Sequence, residues 1–307
     1  MSASNFTRVE CGPPVALLPA QAAPMQVGEC PLWHPQQQAL YWVDIPARTV
    51  HRHDPANGIH QSWLMPSDAA ALAWVAEGVI VALRSAFVHL NSSSGHISKI
   101  ADVPYNQSKI RCNDGKVDAL GRFWVGTLYE PRDLQAAEML CLAQGRVRQV
   151  WQGGMTVSNG LAFARDGLSL WHADTTSHQI RRHALDLDAA TVGSAQLVHQ
   201  FSSVKDDSYG GRPDGAAFDS EGAYWSAMFE GGRLLRIAPD GSILQEVTLP
   251  VRCPTMPAFG GADFKTLYIT SASQNRSAAE LAQYPLSGQV LCMRVSVAGL
   301  AEPAYRA

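Results

Sequence analysis

Apolar and polar residues alternate along most of this chain with the two-residue period of half-buried strands, and one short aromatic strand keeps returning. It reads Tyr41-Trp42-Val43, Val79-Ile80-Val81, Phe123-Trp124-Val125, Leu170-Trp171-His172, Tyr224-Trp225-Ser226 and Leu267-Tyr268-Ile269. With the central residue of each as a marker, the spacings are 38, 44, 47, 54 and 43 residues. Turn signals precede several markers: "HPQQQ" at 34–38, "DALG" at 118–121, "RDG" at 165–167 and "DSEG" at 219–222. A second apolar segment follows in several repeats, as at 49–53, 179–183 and 233–237. A unit of this size built from short strands is a propeller blade. Six markers therefore predict an all-β, six-bladed β-propeller around a central channel, one domain over residues 1–307. A closed ring hides the sheet edges that a linear stack would expose. The segment near Val15-Ala16-Leu17-Leu18 is expected to pair with the last blade and close it. The nearest approach to an amphipathic helix, residues 133–144, reads as a loop running into a strand.

Composition narrows the class without changing this picture. Among 307 residues, 46% are hydrophobic and 17% charged, below the roughly 25% charged residues of an average globular domain. Such a chain can bury a sizeable core. A net charge of −3 offers no footprint for nucleic acid. The first residues lack the basic-then-apolar order of a signal peptide, and no apolar run reaches the roughly 20 residues of a membrane helix. The six cysteines are scattered with no C-x-x-C pair and read as reduced. The expectation is a soluble, cytoplasmic protein, a monomer or weak homo-oligomer.

Against that apolar background, polar residues recur at one phase of the repeat. Asn113 lies 11 residues before Trp124, Asp214 lies 11 before Trp225, Asn159 lies 12 before Trp171, and Glu29 lies 13 before Trp42. Pseudo-rotational symmetry puts equal phases at equal height around the axis. The second blade offers Asp68 there, the sixth only Met256 and Pro257. Asn-Gly and Asp-Gly are also the commonest hairpin pairs. Asn57, Asp166 and Asp240 fall where hairpin turns are expected, whereas Asn159 and Asp214 precede the first strand of a blade. Spacing alone leaves a functional ring and turn chemistry both open; Glu29, in "VGECPLW", has no turn role and favours the ring. Glu29, Asn159 and Asp214 would form an all-oxygen donor set for one hard divalent cation. Ca²⁺ is the leading choice, with Mg²⁺, Mn²⁺ or a catalytic Zn²⁺ as alternatives. There is no H-E-x-x-H, EF-hand loop or G-x-S-x-G. Cys112, between Arg111 and Asn113, points the other way in an extended chain and reads as core. His51 and His53 read as half-exposed strand surface, and Asp44 and Asp174 as structural.

At these residues the sequence resembles the SMP-30/gluconolactonase/regucalcin family, sometimes grouped with luciferin-regenerating proteins. The likeness runs in order through "GECPLWHPQQQALYWVDIPARTVHRHDP", "RCNDGKVDALGRFWVGTL", "SNGLAFARDG", "PDGAAFDSEGAYWSAMFEGGRLLRI" and "LPVRCPTMPAFGGADFKTLYITSA". It implies a six-bladed propeller with one divalent cation in its channel, held by Glu29, Asn159 and Asp214. It also implies substrate hydroxyl contacts from Arg111 and Asn113, with Glu130 the nearest match to a further acidic substrate contact. Cys30 departs from the family, which usually has glycine after the metal-binding glutamate.

The expected reaction is hydrolysis of an aldonolactone to the open-chain acid, with the cation as Lewis acid and Asp214 as ligand and general base. Arg111 and Asn113 would orient the sugar; Arg111 has a second reading as partner of a neighbouring carboxylate. Two other functions fit the same residues. One is a metal-dependent esterase or organophosphatase, the other a non-catalytic calcium-binding regulator.

Overall fold

The recurring strand turns out to be the second of four in each repeat. The computed structural model describes residues 6–19 and 22–306, which form six four-stranded sheets, each antiparallel through its ladder. The first strands are Gly28–His34, Ala69–Val75, Ile110–Val117, Ser158–Phe163, Arg212–Phe218 and Pro254–Gly260. They pack on one another in sequence order, the sixth against the first, and so line a central channel. The arrangement is a six-bladed β-propeller.

Ring closure uses the two ends of the chain. In blade six the outermost strand is Val15–Ala16, paired with Leu291–Arg294 through Val15 to Cys292 and Ala16 to Leu291. Leu17 N–H donates to Val290 O at 2.8 Å. An early segment thereby completes the last blade. No covalent link is used, because all six cysteines are free. Residues 133–144 run from a loop into the strand Glu138–Ala143. Among the described residues no helix is long and apolar enough to cross a membrane.

The core lies between blades, and buried aspartates pin the hairpins that carry it. Asp118 Oδ1 accepts from Leu120 N and Arg122 N, both at 3.0 Å, while its Oδ2 accepts from Trp124 Nε1 at 2.7 Å. Two blades on, Asp219 does the same for Glu221 N, Ala223 N and Trp225 Nε1. One carboxylate thus satisfies a tight turn and a buried indole together, groups that would each be costly to leave unpaired. Asp44 and Asp174 act one level up. Asp44 accepts from Gln26 N and Val27 N, and Asp174 from Thr156 N and Val157 N. Each ties the chain entering its blade to the second strand, immediately ahead of Glu29 and Asn159.

Candidate active site

Every first strand breaks register near its start. The irregularities fall between Glu29 and Leu32, Ala69 and Ala71, Cys112 and Gly115, Asn159 and Ala162, Pro213 and Ala216, and Pro254 and Met256. A bulge places two residues opposite one and re-aims the side chain at that point. Repeated around the ring, it turns polar side chains of successive blades toward the axis. The residue after the polar one is left-handed in two blades: Cys30 at φ 47 and Gly160 at φ 59. Asn159 and Asp214 therefore sit inside the first strands of blades four and five, at the bulge, and not ahead of them.

Glu29, Arg111, Asn113, Asn159 and Asp214 line one cavity of about 220 Å³ at this end of the channel. All but Arg111 are buried, and Arg111 is nearly so. Arg111 Nη1 donates to Cys112 O and to Asn113 Oδ1, both at 2.8 Å. Asn113 Nδ2 donates to Ser158 O and Asn159 Oδ1, also at 2.8 Å. Asn159 Nδ2 donates to Thr175 Oγ1 at 2.7 Å, and that hydroxyl donates to Pro213 O at 2.8 Å. The relay fixes which way the Asn159 amide faces, with its oxygen toward Asn113 and the cavity. Cys112 lies behind the strand in the core, its thiol accepting from Tyr105 Oη at 3.3 Å.

The charges here are strained by each other. Burial, then repulsion from Asp214 and Asp114, holds the Glu29 carboxyl well above its usual range. Burial, then Asp114, pushes Asp214 up to about 8. Asp114 itself is raised to about 6 by burial, and its Oδ1 has no partner. Two enclosed carboxyls beside an oriented amide oxygen either hold protons or share a cation. Their all-oxygen character and free lone pairs fit a hard divalent ion. Among the described residues no three His, Cys, Asp or Glu side chains form a metal-ligand cluster; this trio contains two carboxylates and an amide.

Glu130 stands at the edge. Its carboxylate takes both Nη atoms of Arg84, at 3.0 and 2.7 Å, and lies 3.9 Å from Arg111 Nε. Asp68 is held by the same arginine at 2.9 Å, so the second blade lends its carboxylate to Arg84. In blade six Met256 is buried against Gly215, and Thr255 lines the cavity in its place. Sequence reasoning missed Thr175, Thr255, Arg132, Arg212 and Arg276 on the wall. Arg212 alone had a signal: it precedes Asp214 by two residues, as Arg111 precedes Asn113. A second cavity, of about 250 Å³, lies at the opposite end of the channel. Trp33, Phe163, Phe218 and Phe259 make most of its wall apolar, and its charged groups are Arg165 and the Lys116–Glu302 ion pair.

Residues 27–273 match the family described as "SMP-30/Gluconolactonase/LRE-like region". A 6-deoxy-6-sulfogluconolactonase of Pseudomonas putida is 47% identical over 92% of this chain and 96% of its own. The regucalcin of Gallus gallus is 32% identical over 86% and 89%. In three dimensions the chain is similar to a calcium-binding regucalcin of Agrobacterium tumefaciens, with a TM-score of 0.87, 26% identity, and 94% and 96% of the two chains covered.

Proposed function

Since this chain belongs to the SMP-30/gluconolactonase/LRE-like family, we propose that it hydrolyses a sugar lactone to the aldonic acid at the polar end of its channel. The observation that supports this most is the convergence of Glu29, Asn159 and Asp214, from three blades, on a cavity that also holds the Arg111–Asn113 arm. The relative at 47% identity carries a sulfogluconolactonase name, which makes a gluconolactone with a sulfonate at carbon 6 the leading substrate.

Glu29, Asn159 and Asp214 would hold one divalent cation, Ca²⁺ first. When bound, that ion supplies Lewis-acid polarisation of the lactone carbonyl. Asp214 accepts the proton of the attacking water and returns it to the ring oxygen as the ester bond opens. Arg111 donates to a ring hydroxyl and Asn113 accepts from one through its Oδ1, which fixes the lactone for attack. Thr175 keeps the Asn159 oxygen turned inward. Glu130, held by Arg84, reaches the substrate through Arg111.

The test is proton release from a panel of lactones by metal-stripped protein, and by protein restored with Ca²⁺, Mg²⁺, Mn²⁺ or Zn²⁺, each above the spontaneous rate. Activity lost on stripping and regained with one ion is expected, together with its loss in Asp214→Ala. Full activity in Asp214→Ala would overturn the mechanism. Ca²⁺ binding with no lactone turned over would favour a calcium-binding regulator instead.

A further inference from the structure

The cavity wall carries four arginines, Arg111, Arg132, Arg212 and Arg276, against two carboxylates, Glu29 and Asp214. A neutral lactone needs no such excess of positive charge, and a bound divalent cation would enlarge it. Arg111 is bonded to Asn113 and lies 3.9 Å from the Glu130 carboxylate, and Arg132 lies on an exposed loop. Arg212 and Arg276 differ, because a separate structure braces them.

That structure is built on Glu230. Its carboxylate lies 3.6 Å from Arg212 Nη2, 3.4 Å from Arg276 Nη1 and 2.9 Å from Lys205 Nζ. Glu280 adds a longer contact to Arg276 at 3.5 Å. Three cations against two carboxylates leave one positive charge uncompensated. Glu230 adopts φ 63, a left-handed backbone that a non-glycine residue keeps only where its surroundings impose it. Arg212 lies over the Phe229 ring at 5.2 Å, a cation–π contact that holds it against the wall. The Nε atoms of both arginines are buried and without a partner. Two guanidinium groups held on one carboxylate, each with an unmet donor, suit a group with several anionic oxygens.

The register sets the distance. Arg212 and Asp214 are two residues apart on one first strand, a separation of roughly 6–7 Å. Arg212 stands on the outer side, toward the mouth. That span matches a lactone whose carbonyl is at Asp214 and whose carbon-6 substituent, beyond the ring oxygen and carbon 5, reaches outward.

We propose that Arg212 and Arg276, braced on Glu230, form a subsite for an anionic group carried by the lactone on its carbon 6. The proposal rests on the lactonase reading above and adds the residues that select the charged substrate. A sulfonate fits it, and so does a phosphate; both present three oxygens to two guanidinium groups.

The experiment compares kcat/KM for gluconolactone with that for its 6-deoxy-6-sulfonate and 6-phosphate counterparts, in the metal-loaded wild type and in Arg212→Gln and Arg276→Gln. The wild type is expected to prefer at least one charged lactone by tenfold or more, through KM, with the preference shrinking as salt is added. The sulfonate and phosphate arms show which group is preferred. Each substitution is expected to reduce the charged-to-neutral ratio at least tenfold. Should a variant fail to fold, the wild-type preference and its salt dependence still decide. A wild type that handles the neutral lactone as well as both charged ones would overturn the subsite and leave the lactonase reading standing. So would variants that lower both rates equally. A protein that hydrolyses none of the three sinks the lactonase reading and takes the subsite with it.

Discussion

Cys30 shows how closely the site is built at single residues. It follows Glu29 at the bulge with φ 47, a conformation costing a non-glycine residue about 1–2 kcal/mol. The same step in blade four is taken by Gly160, whose added Cβ would come within 2.2 Å of Tyr224 Oη. Cysteine brings a compensation, since Leu72 N–H donates to its buried sulfur at 3.1 Å. Cys30→Gly should therefore change stability by less than about 1 kcal/mol, relief of strain offsetting the lost contact. Cys30→Val adds a branched side chain in the left-handed region and should cost about 2–3 kcal/mol. Urea unfolding of the two variants checks this, and a valine variant as stable as wild type would refute it. Thr175 acts through Asn159. In Thr175→Val the Asn159 amide loses the acceptor that orients it, so on the proposed assignment Ca²⁺ affinity should fall about 10- to 100-fold. Calorimetric titration of Ca²⁺ reads this directly, beside a thermal melt to show that the fold persists.

At the scale of elements, the bulged first strands and the aspartate-pinned hairpins divide the work between function and stability. Asp219 is fully buried, and besides its turn and Trp225 it accepts from Arg236 Nε at 2.8 Å. Asp219→Ala leaves that buried guanidinium with the half-buried Glu221 and the Thr7 carbonyl but no partner for its Nε, and is expected to cost about 3–5 kcal/mol. Denaturant midpoints measure it; a loss under 1 kcal/mol would mean that the hairpin holds without its anchor. These hairpins were legible in the sequence because "DALG" and "DSEG" recur at a fixed distance before a tryptophan. The closing strand was legible as an apolar segment lacking a blade of its own. The first strands were harder to read. "SNGLAF" and "RPDGAAF" are rich in residues with low strand propensity, and a bulge leaves no mark in alternation. The phase of the polar ring was therefore visible while its elements were displaced by one strand. The helix Ala278–Gln283 is too short to show a period; only Ser277 capping the N–H of Glu280 marks it. Arg212 and Arg276 meet across two blades with no repeat to connect them, so no pattern in the chain could have paired them.

For the whole molecule, a channel lined with enclosed carboxyls couples stability to pH and to metal. Glu29, Asp114 and Asp214 all have folded-state pKa values raised by burial first. Without metal, the folded protein keeps protons that the unfolded chain releases near its ordinary carboxylate range of about pH 4. Through these three groups it binds more protons than the unfolded state from there up to about 8, a contribution to stability that falls as pH rises; buried histidines such as His51, His172 and His183, held below their usual range by burial, act in the opposite sense until the unfolded chain's histidines are neutral at about pH 7. The slope is about 1.4 kcal/mol per pH unit for each group still protonated. A divalent cation reverses the sign for Glu29 and Asp214, since it binds their ionised forms and competes with the protons. Metal-stripped protein should therefore melt at progressively lower temperature between about pH 7 and about pH 8, where the histidines are neutral in both states. The rise in Tm on adding Ca²⁺ should be small at about pH 5 and grow up to about pH 8, because the histidines contribute equally with and without the ion. Parallel melting curves with and without Ca²⁺ would rule out Glu29 and Asp214 as its ligands. A widening gap, abolished in Asp214→Ala, would tie cation binding and the proton-accepting carboxylate of the proposed hydrolysis to one place in the channel.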